Sequence, residues 1–160
     1  MTDTPDFYQA DAVRPGNSVG YTINRLAHAL ALELDRRMSA IGLTDAQWKP
    51  LLLLRQGTCI TAADIARHAC HDTGAVTRVL DRLEAKGLVQ RIRSESDRRV
   101  IKLELTPEGE KISAEVPVIL SEVLNLMLTG FSTEEFALVS ALLKRMLGNI
   151  QSISKESAAP

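Results

Sequence analysis

The chain is poor in most of what specialised proteins are built from. Its 160 residues include two cysteines, Cys59 and Cys70, too few for a disulfide framework and in keeping with a reducing compartment. Six prolines and nine glycines exclude a collagen-like or disordered chain, and aromatic residues at 4% disfavour an all-β sandwich or a pocket built mainly of rings. No apolar run reaches the roughly 18 residues that a membrane span needs. The opening MTDTPDFYQADAVRPGN is too acidic and polar for a signal peptide. HExxH, GxSxG, GxGxxG and P-loop motifs are all missing, and three scattered histidines do not make a catalytic site. What remains is 45% hydrophobic, the composition of one ordinary helical domain with a sizeable core. The expectation is a cytoplasmic protein that is not an enzyme, carries no cofactor and does not enter membranes.

Net charge is also nearly absent, at −1, but it is unevenly spread. Residues 55–102 hold ten basic and six acidic side chains, leaving nine and fourteen for the rest. A basic middle between acidic ends suits a polyanion-binding centre on a scaffold that need not touch the polyanion. A merely solvated face would give the same count, so the placement of the arginines has to decide.

Periodicity supplies the placement. Residues 1–17 read as an arm without its own core. From Asn17 or Ser18, Val19, Ile23, Leu26, Leu30, Leu34 and Met38 recur every three or four residues, one stripe along a helix that Gly42 ends. Thr44 and Gln47 form a capping box for a helix running to Leu54, with Pro50 in its opening turns and Gly57 as its stop. Thr61 caps a short helix ending between His68 and Cys70, and Asp72 or Thr73 caps another that runs to Lys86 and closes at Gly87. The period then changes to two. Leu88–Arg93 and Val100–Leu105 read as a β-hairpin with an exposed tip, Ser94–Arg99. Thr106-Pro107 opens a helix carrying Ile112, Val116, Ile119 and Val123, expected to bend at Pro117, and Ser132 with Glu135 boxes the last one.

Three helices followed by a hairpin make a winged helix-turn-helix. The fold expected is mainly α with a small β-hairpin. Residues 41–106 form the winged lobe, 1–40 an arm and dimerisation helix, 107–153 C-terminal dimerisation helices and 154–160 a flexible tail. The outer helices carry more apolar stripe than so small a lobe can cover, and a second copy of the chain is their natural partner.

On the helix from Thr73, Val76, Leu80 and Leu83 share one face with Val79 beside them, while Gly74, Arg78, Asp81, Arg82 and Ala85 lie opposite. A helix entering a major groove needs a small leading end and long donors beyond it. Gly74 and Ala75 meet the first need, Thr77, Arg78 and Arg82 the second. The competing reading is an ordinary surface helix whose arginines pair with Asp81 or Asp72. Arg91, Arg93, Arg98 and Arg99 bracket the adjacent hairpin tip, where a guanidinium suits a narrow minor groove, and Asp97 is placed to orient one of them.

The run TGAVTRVLDRLEAKGLVQRIRSESDRRVIKLELTPEG, residues 73–109, resembles the recognition helix and wing of the MarR family of bacterial transcriptional regulators, and the helix order from 18 to 150 is similar to theirs. The most specific part is Asp97-x-Arg99 followed by Leu105-Thr106-x-x-Gly109. The resemblance implies a homodimer on a pseudo-palindromic operator in double-stranded DNA, with Thr77 and Arg78 in the major groove, Arg99 in the minor groove and Asp97 orienting it. Thr73, Gly74, Arg82 and Arg98 join this set from face and charge. It also implies a small-molecule effector, often an aromatic acid, bound between the dimerisation helices and the DNA-binding lobe, with repression as the outcome. Tyr21, Arg25, His28 and Trp48 are the candidates, combining ring surface with a cation.

Other readings stay open. His68, Cys70 and His71, with Cys59 nearby, offer zinc-type ligands at a spacing that does not close a tetrahedron, so no metal site is assigned. A thiol- or metal-responsive regulator of the same fold is one alternative, with Cys59 or Cys70 as its thiol. A dimeric helical protein-interaction module without DNA binding is the other.

Overall fold

A computed structural model describes residues 5–69, 73–93 and 100–156. After a single 3-10 turn at Pro15–Asn17 come α1 (Val19–Ser39), α2 (Asp45–Arg55), α3 (Ala62–Ala69), α4 (Thr73–Ala85), β1 (Val89–Arg93), β2 (Ile101–Leu105), α5 (Pro107–Met127) and α6 (Thr133–Glu156). The chain divides into two compact units, Met1–Val123 and Leu124–Pro160. No helix among the described residues is long and apolar enough to cross a membrane.

The helix starts follow the capping chemistry of the sequence. Ser18 Oγ accepts the Tyr21 N–H at 3.2 Å, and Tyr8, from the arm, accepts the Val19 N–H at 2.9 Å. Gln47 Oε1 accepts the Thr44 N–H at 3.2 Å, and Thr61 Oγ1 accepts the Asp64 N–H at 3.2 Å while Asp64 returns the bond to the Thr61 N–H at 3.0 Å. The box at α6 is reciprocal: Glu135 Oε2 accepts from Ser132 N–H at 2.8 Å, and Ser132 Oγ from Glu135 N–H at 3.2 Å. Two prolines sit deeper than a helix start. Pro50 is the sixth residue of α2 rather than part of its opening turn, so the Ala46 carbonyl loses a helical donor, and α5 continues as one helix through Pro117. α6 reaches Glu156, into the stretch that patterning assigns to a tail.

In the first unit one core gathers Leu34 and Met38 of α1, Leu43, Trp48 and Leu51, Cys59 and Ile65, the inner face of α4, Leu88, Val89 and Leu103 of the hairpin, and Val116 and Val123 of α5. The hairpin is antiparallel with Val89 opposite Leu105, Arg91 opposite Leu103 and Arg93 opposite Ile101. The Leu103 N–H also donates to the Ile60 carbonyl at 2.9 Å, anchoring β2 to the segment that leads into α3. The front of the α1 stripe stays uncovered in the single chain: Val19, Ile23 and Leu26 are exposed, and so, within the second unit, are Leu143, Leu147 and Ile150 of α6.

Candidate nucleic-acid interface

α4 is held by one face and exposes the other. Val76, Leu80 and Leu83 are buried and Val79 is half-buried, while Gly74, Thr77, Arg78, Asp81, Arg82 and Glu84 are exposed. Burying three such side chains is worth about 1.5–3 kcal/mol each, enough to fix the roll of the helix and hence the direction of its polar face. Among the described residues neither Arg78 nor Arg82 pairs with a carboxylate. Of the competing reading, in which α4's own arginines pair with Asp81 or Asp72, the Asp81 pairing is not what is found, and Asp72 lies outside the described residues. Asp81 is taken instead by Arg91 of β1, with Nη2 2.6 Å from Oδ1, and Arg91 Nη1 bonds Glu84 Oε2. The Asp81 carboxylate beside it raises the Arg91 pKa. Arg91 is thus an internal clamp, whereas Arg93, two residues further along the strand, is exposed on the same side of the ladder.

The ends of this assembly are pinned by the Leu105-Thr106-x-x-Gly109 motif. Thr106 donates its hydroxyl to the Gly87 carbonyl at 2.6 Å and accepts the Gly109 N–H at 3.0 Å, and its own N–H donates to the Leu88 carbonyl at 3.1 Å. Gly87 turns the chain at a φ of +69°, which favours glycine. Gly109 is needed for a different reason: a Cβ there would lie 1.9 Å from the Leu88 carbonyl oxygen. Lys86 closes the other side, donating to the Gly42 carbonyl at 2.6 Å and to Gln47 Oε1 at 2.8 Å, which also satisfies that buried amide.

Of the residues assigned to DNA, Gly74, Thr77, Arg78 and Arg82 lie together on the exposed face of α4, and Thr73 is its first residue. Asp97, Arg98 and Arg99 lie outside the described residues. The effector candidates separate. Tyr21 and Arg25 line one open cleft of about 350 Å³ with Pro15, Gly16, Thr22 and Leu26. His28 is exposed on the same helix, one heptad beyond Tyr21, and is not part of that lining. Trp48 belongs to the core: it is 9% exposed, donates its indole N–H to Asp45 at 3.1 Å and lies under the Lys49 ammonium, 5.3 Å from the ring centre. A second cavity, apolar and about 230 Å³, lies directly behind α4, lined by Ala46, Lys49, Pro50, Ile65, Ala75, Val76 and Val79. Sequence periodicity gave no sign of it, because a shortfall of packing leaves no pattern.

The thiol and metal readings rest in part on residues that are not described. Cys59 is 1% exposed, and burial, reinforced by Asp64, pushes its thiol up, so it stays protonated and shielded. The His68 ring approaches its sulfur at 3.4 Å. Cys70 and His71 lie outside the described residues, and among the described ones no group of three His, Cys, Asp or Glu could hold a metal.

A three-helix lobe whose last helix offers exposed arginines, followed at once by a two-stranded wing, defines a winged helix-turn-helix protein of the DNA-binding class. Residues 43–101 match the model of the MarR family. Over 130 residues the chain is 33% identical to the multiple antibiotic resistance protein MarR of Escherichia coli, covering 78% of this chain and 90% of that one. The chain belongs to the MarR family and is a DNA-binding transcriptional regulator. Its fold is similar to that of a mutant E. coli MarR complexed with operator DNA, with a TM-score of 0.73 and 29% identity over 81% of this chain and 93% of that one. It is also similar to MepR of S. aureus in complex with DNA, with a TM-score of 0.76 and 25% identity over 82% and 98% of the two chains.

Proposed function

We propose that a homodimer of this chain binds a pseudo-palindromic operator as a repressor and leaves it when a small aromatic carboxylate binds. Thr73, Gly74, Thr77, Arg78 and Arg82 enter the major groove, and Arg98 and Arg99, with Asp97 as orienter, take the neighbouring minor groove. The observation that carries this reading is the exposed face of α4, where Arg78 and Arg82 have no carboxylate partner among the described residues. The DNA complexes of E. coli MarR and MepR, which share the architecture, support it. Dimerisation is favoured by the exposed apolar positions of α1 and, within the second unit, by those of α6, each of which a monomer would leave in water. Repression needs nothing further, since a bound dimer on a promoter excludes polymerase by occupancy.

For the effector, the Tyr21–Arg25 cleft is the better seat. Arg25 has no carboxylate partner among the described residues, so its charge is available to an anion. A second reading places the effector in the cavity behind α4, favoured by its apolar enclosure. Its cation, Lys49, is already 2.8 Å from Asp45. Benzoate as probe separates them: it should raise the melting temperature and weaken DNA binding, and Arg25→Ala should abolish both effects while Lys49→Ala retains them. The DNA reading itself is tested by anisotropy with a labelled duplex from upstream of the gene. Affinity should fall steeply as salt rises, because each phosphate contact releases counterions. A flat salt response points instead to a protein-interaction module.

A further inference from the structure

We propose that Arg91 is a positioning residue for DNA reading: by holding Asp81 it keeps that carboxylate from capturing Arg78. The inference rests on the DNA reading above and adds a role to a residue that charge counting groups with the groove-facing arginines.

The argument begins with a liability of α4. Asp81 stands three residues after Arg78 and one before Arg82, on the exposed side of the helix. At i, i+3 spacing an arginine and an aspartate reach each other readily. Left alone, Asp81 would tie up Arg78 and would set a negative charge against the phosphate backbone. Arg91 removes both problems at once, bonding Asp81 at 2.6 Å and Glu84 with its other terminal nitrogen. Its guanidinium arrives from a fixed strand opposite the buried Leu103, so little rotamer freedom is lost in forming the pair.

The clamp is not needed to place the hairpin. Thr106 on Gly87 and Leu88, the Leu103–Ile60 bond and the buried Val89 and Leu103 already do that. With both terminal nitrogens on carboxylates, Arg91 is also poorly placed to serve as a phosphate contact. Its contribution acts through Asp81 on Arg78 of α4.

A double-mutant cycle on the full chain tests this, using the tightest duplex enriched from a random-sequence pool. Arg91→Ala should weaken binding about tenfold, equivalent to about 1.4 kcal/mol. Asp81→Asn should change wild-type affinity by less than about twofold yet restore most of the loss in the Arg91→Ala background, a coupling that independent sites do not show. Additive effects, with Asp81→Asn acting equally in both backgrounds, overturn the proposal and make Arg91 a direct contact. Unchanged affinity in Arg91→Ala overturns it too. Should Arg91→Ala not fold, Arg91→Gln carries the same comparison. If the wild type enriches no duplex, the DNA reading fails and this inference falls with it, whereas additivity with binding intact sinks the inference alone.

Discussion

Replacing Gly109 by alanine should destabilise the protein, against the general trend for glycine in helices. Gly109 is the third residue of α5, where exchange to alanine ordinarily gains about 0.5–1 kcal/mol. Here the new Cβ would stand 1.9 Å from the Leu88 oxygen and 2.9 Å from its carbonyl carbon. A tolerable C···O separation is about 3.3 Å, so the first turn of α5 must retreat from the Gly87–Leu88 turn by more than an ångström. That movement strains or breaks the bond from Thr106 N–H to Leu88 and the one from the Thr106 hydroxyl to Gly87. At about 1 kcal/mol net for each bond, with an overpacking cost of about 1–3 kcal/mol and the propensity gain set against them, the expected loss is about 3 kcal/mol. For a chain of this size that lowers the melting temperature by roughly 6–12 °C. Denaturant titration followed by circular dichroism reads it, with Gly20→Ala as control, since only Ser18 Oγ, at 3.8 Å, lies near that position. A Gly109→Ala protein as stable as the wild type would refute the close approach and the clamp built on it.

Other predictions concern binding, pH and assembly. Arg78→Ala should weaken operator binding by about 1–3 kcal/mol and relax preference at one base position in each half-site, as read by anisotropy on single-base variants. Arg99→Ala should cost more than about 1 kcal/mol in a folded protein, and an unchanged affinity would remove the wing from the mechanism. Glu33, bonded by Arg36 and Arg37, has its carboxyl lowered to about 2, so its share of stability is complete above about pH 4.5 and fades as pH falls toward 2. Glu33→Gln should flatten the acid limb of the stability profile in that window, and an unaltered limb would show that the pair does not persist in solution. Mass measurement in solution should give a dimer, and a stable monomer would count against the role given to the uncovered stripes of α1 and α6.

The parts of this fold that could be read in the sequence are those written in short-range chemistry. The stripe of Val76, Leu80 and Leu83 sets the roll of α4 in the sequence itself, because three buried positions at helical spacing leave the opposite face little choice. Helix starts at Ser18, Thr61 and Ser132 followed from side chains that bond their own neighbours three residues on. What escaped depends on contacts distant in the chain. Arg91 carries the same charge as Arg93, and only the approach of β1 to α4 shows that one is consumed and the other exposed. Trp48 offered a ring for an effector, but whether a ring faces a cleft or the core is settled by tertiary packing, and this one is 9% exposed in the core. The need for glycine at 109 is invisible without Leu88, twenty-one residues earlier in sequence and in contact in space.

These ties share a location, and the location has a consequence. Lys86 on Gly42 and Gln47, Thr106 on Gly87, Gly109 against Leu88, and Arg91 on Asp81 and Glu84 all grip the C-terminal half of α4 or the turn just after it. The N-terminal half, which is to lead into the groove, packs through Val76 and half-buried Val79 above an apolar cavity. A helix gripped at one end tilts about that end more easily than it slides. Small displacements where the α1–α2 loop meets Lys86 would therefore swing Gly74 and Thr77 further than Arg82. Changes transmitted through that loop should alter major-groove contacts at the leading end of α4 before those near Arg82, and hydrogen exchange along α4 with and without benzoate measures that gradient directly.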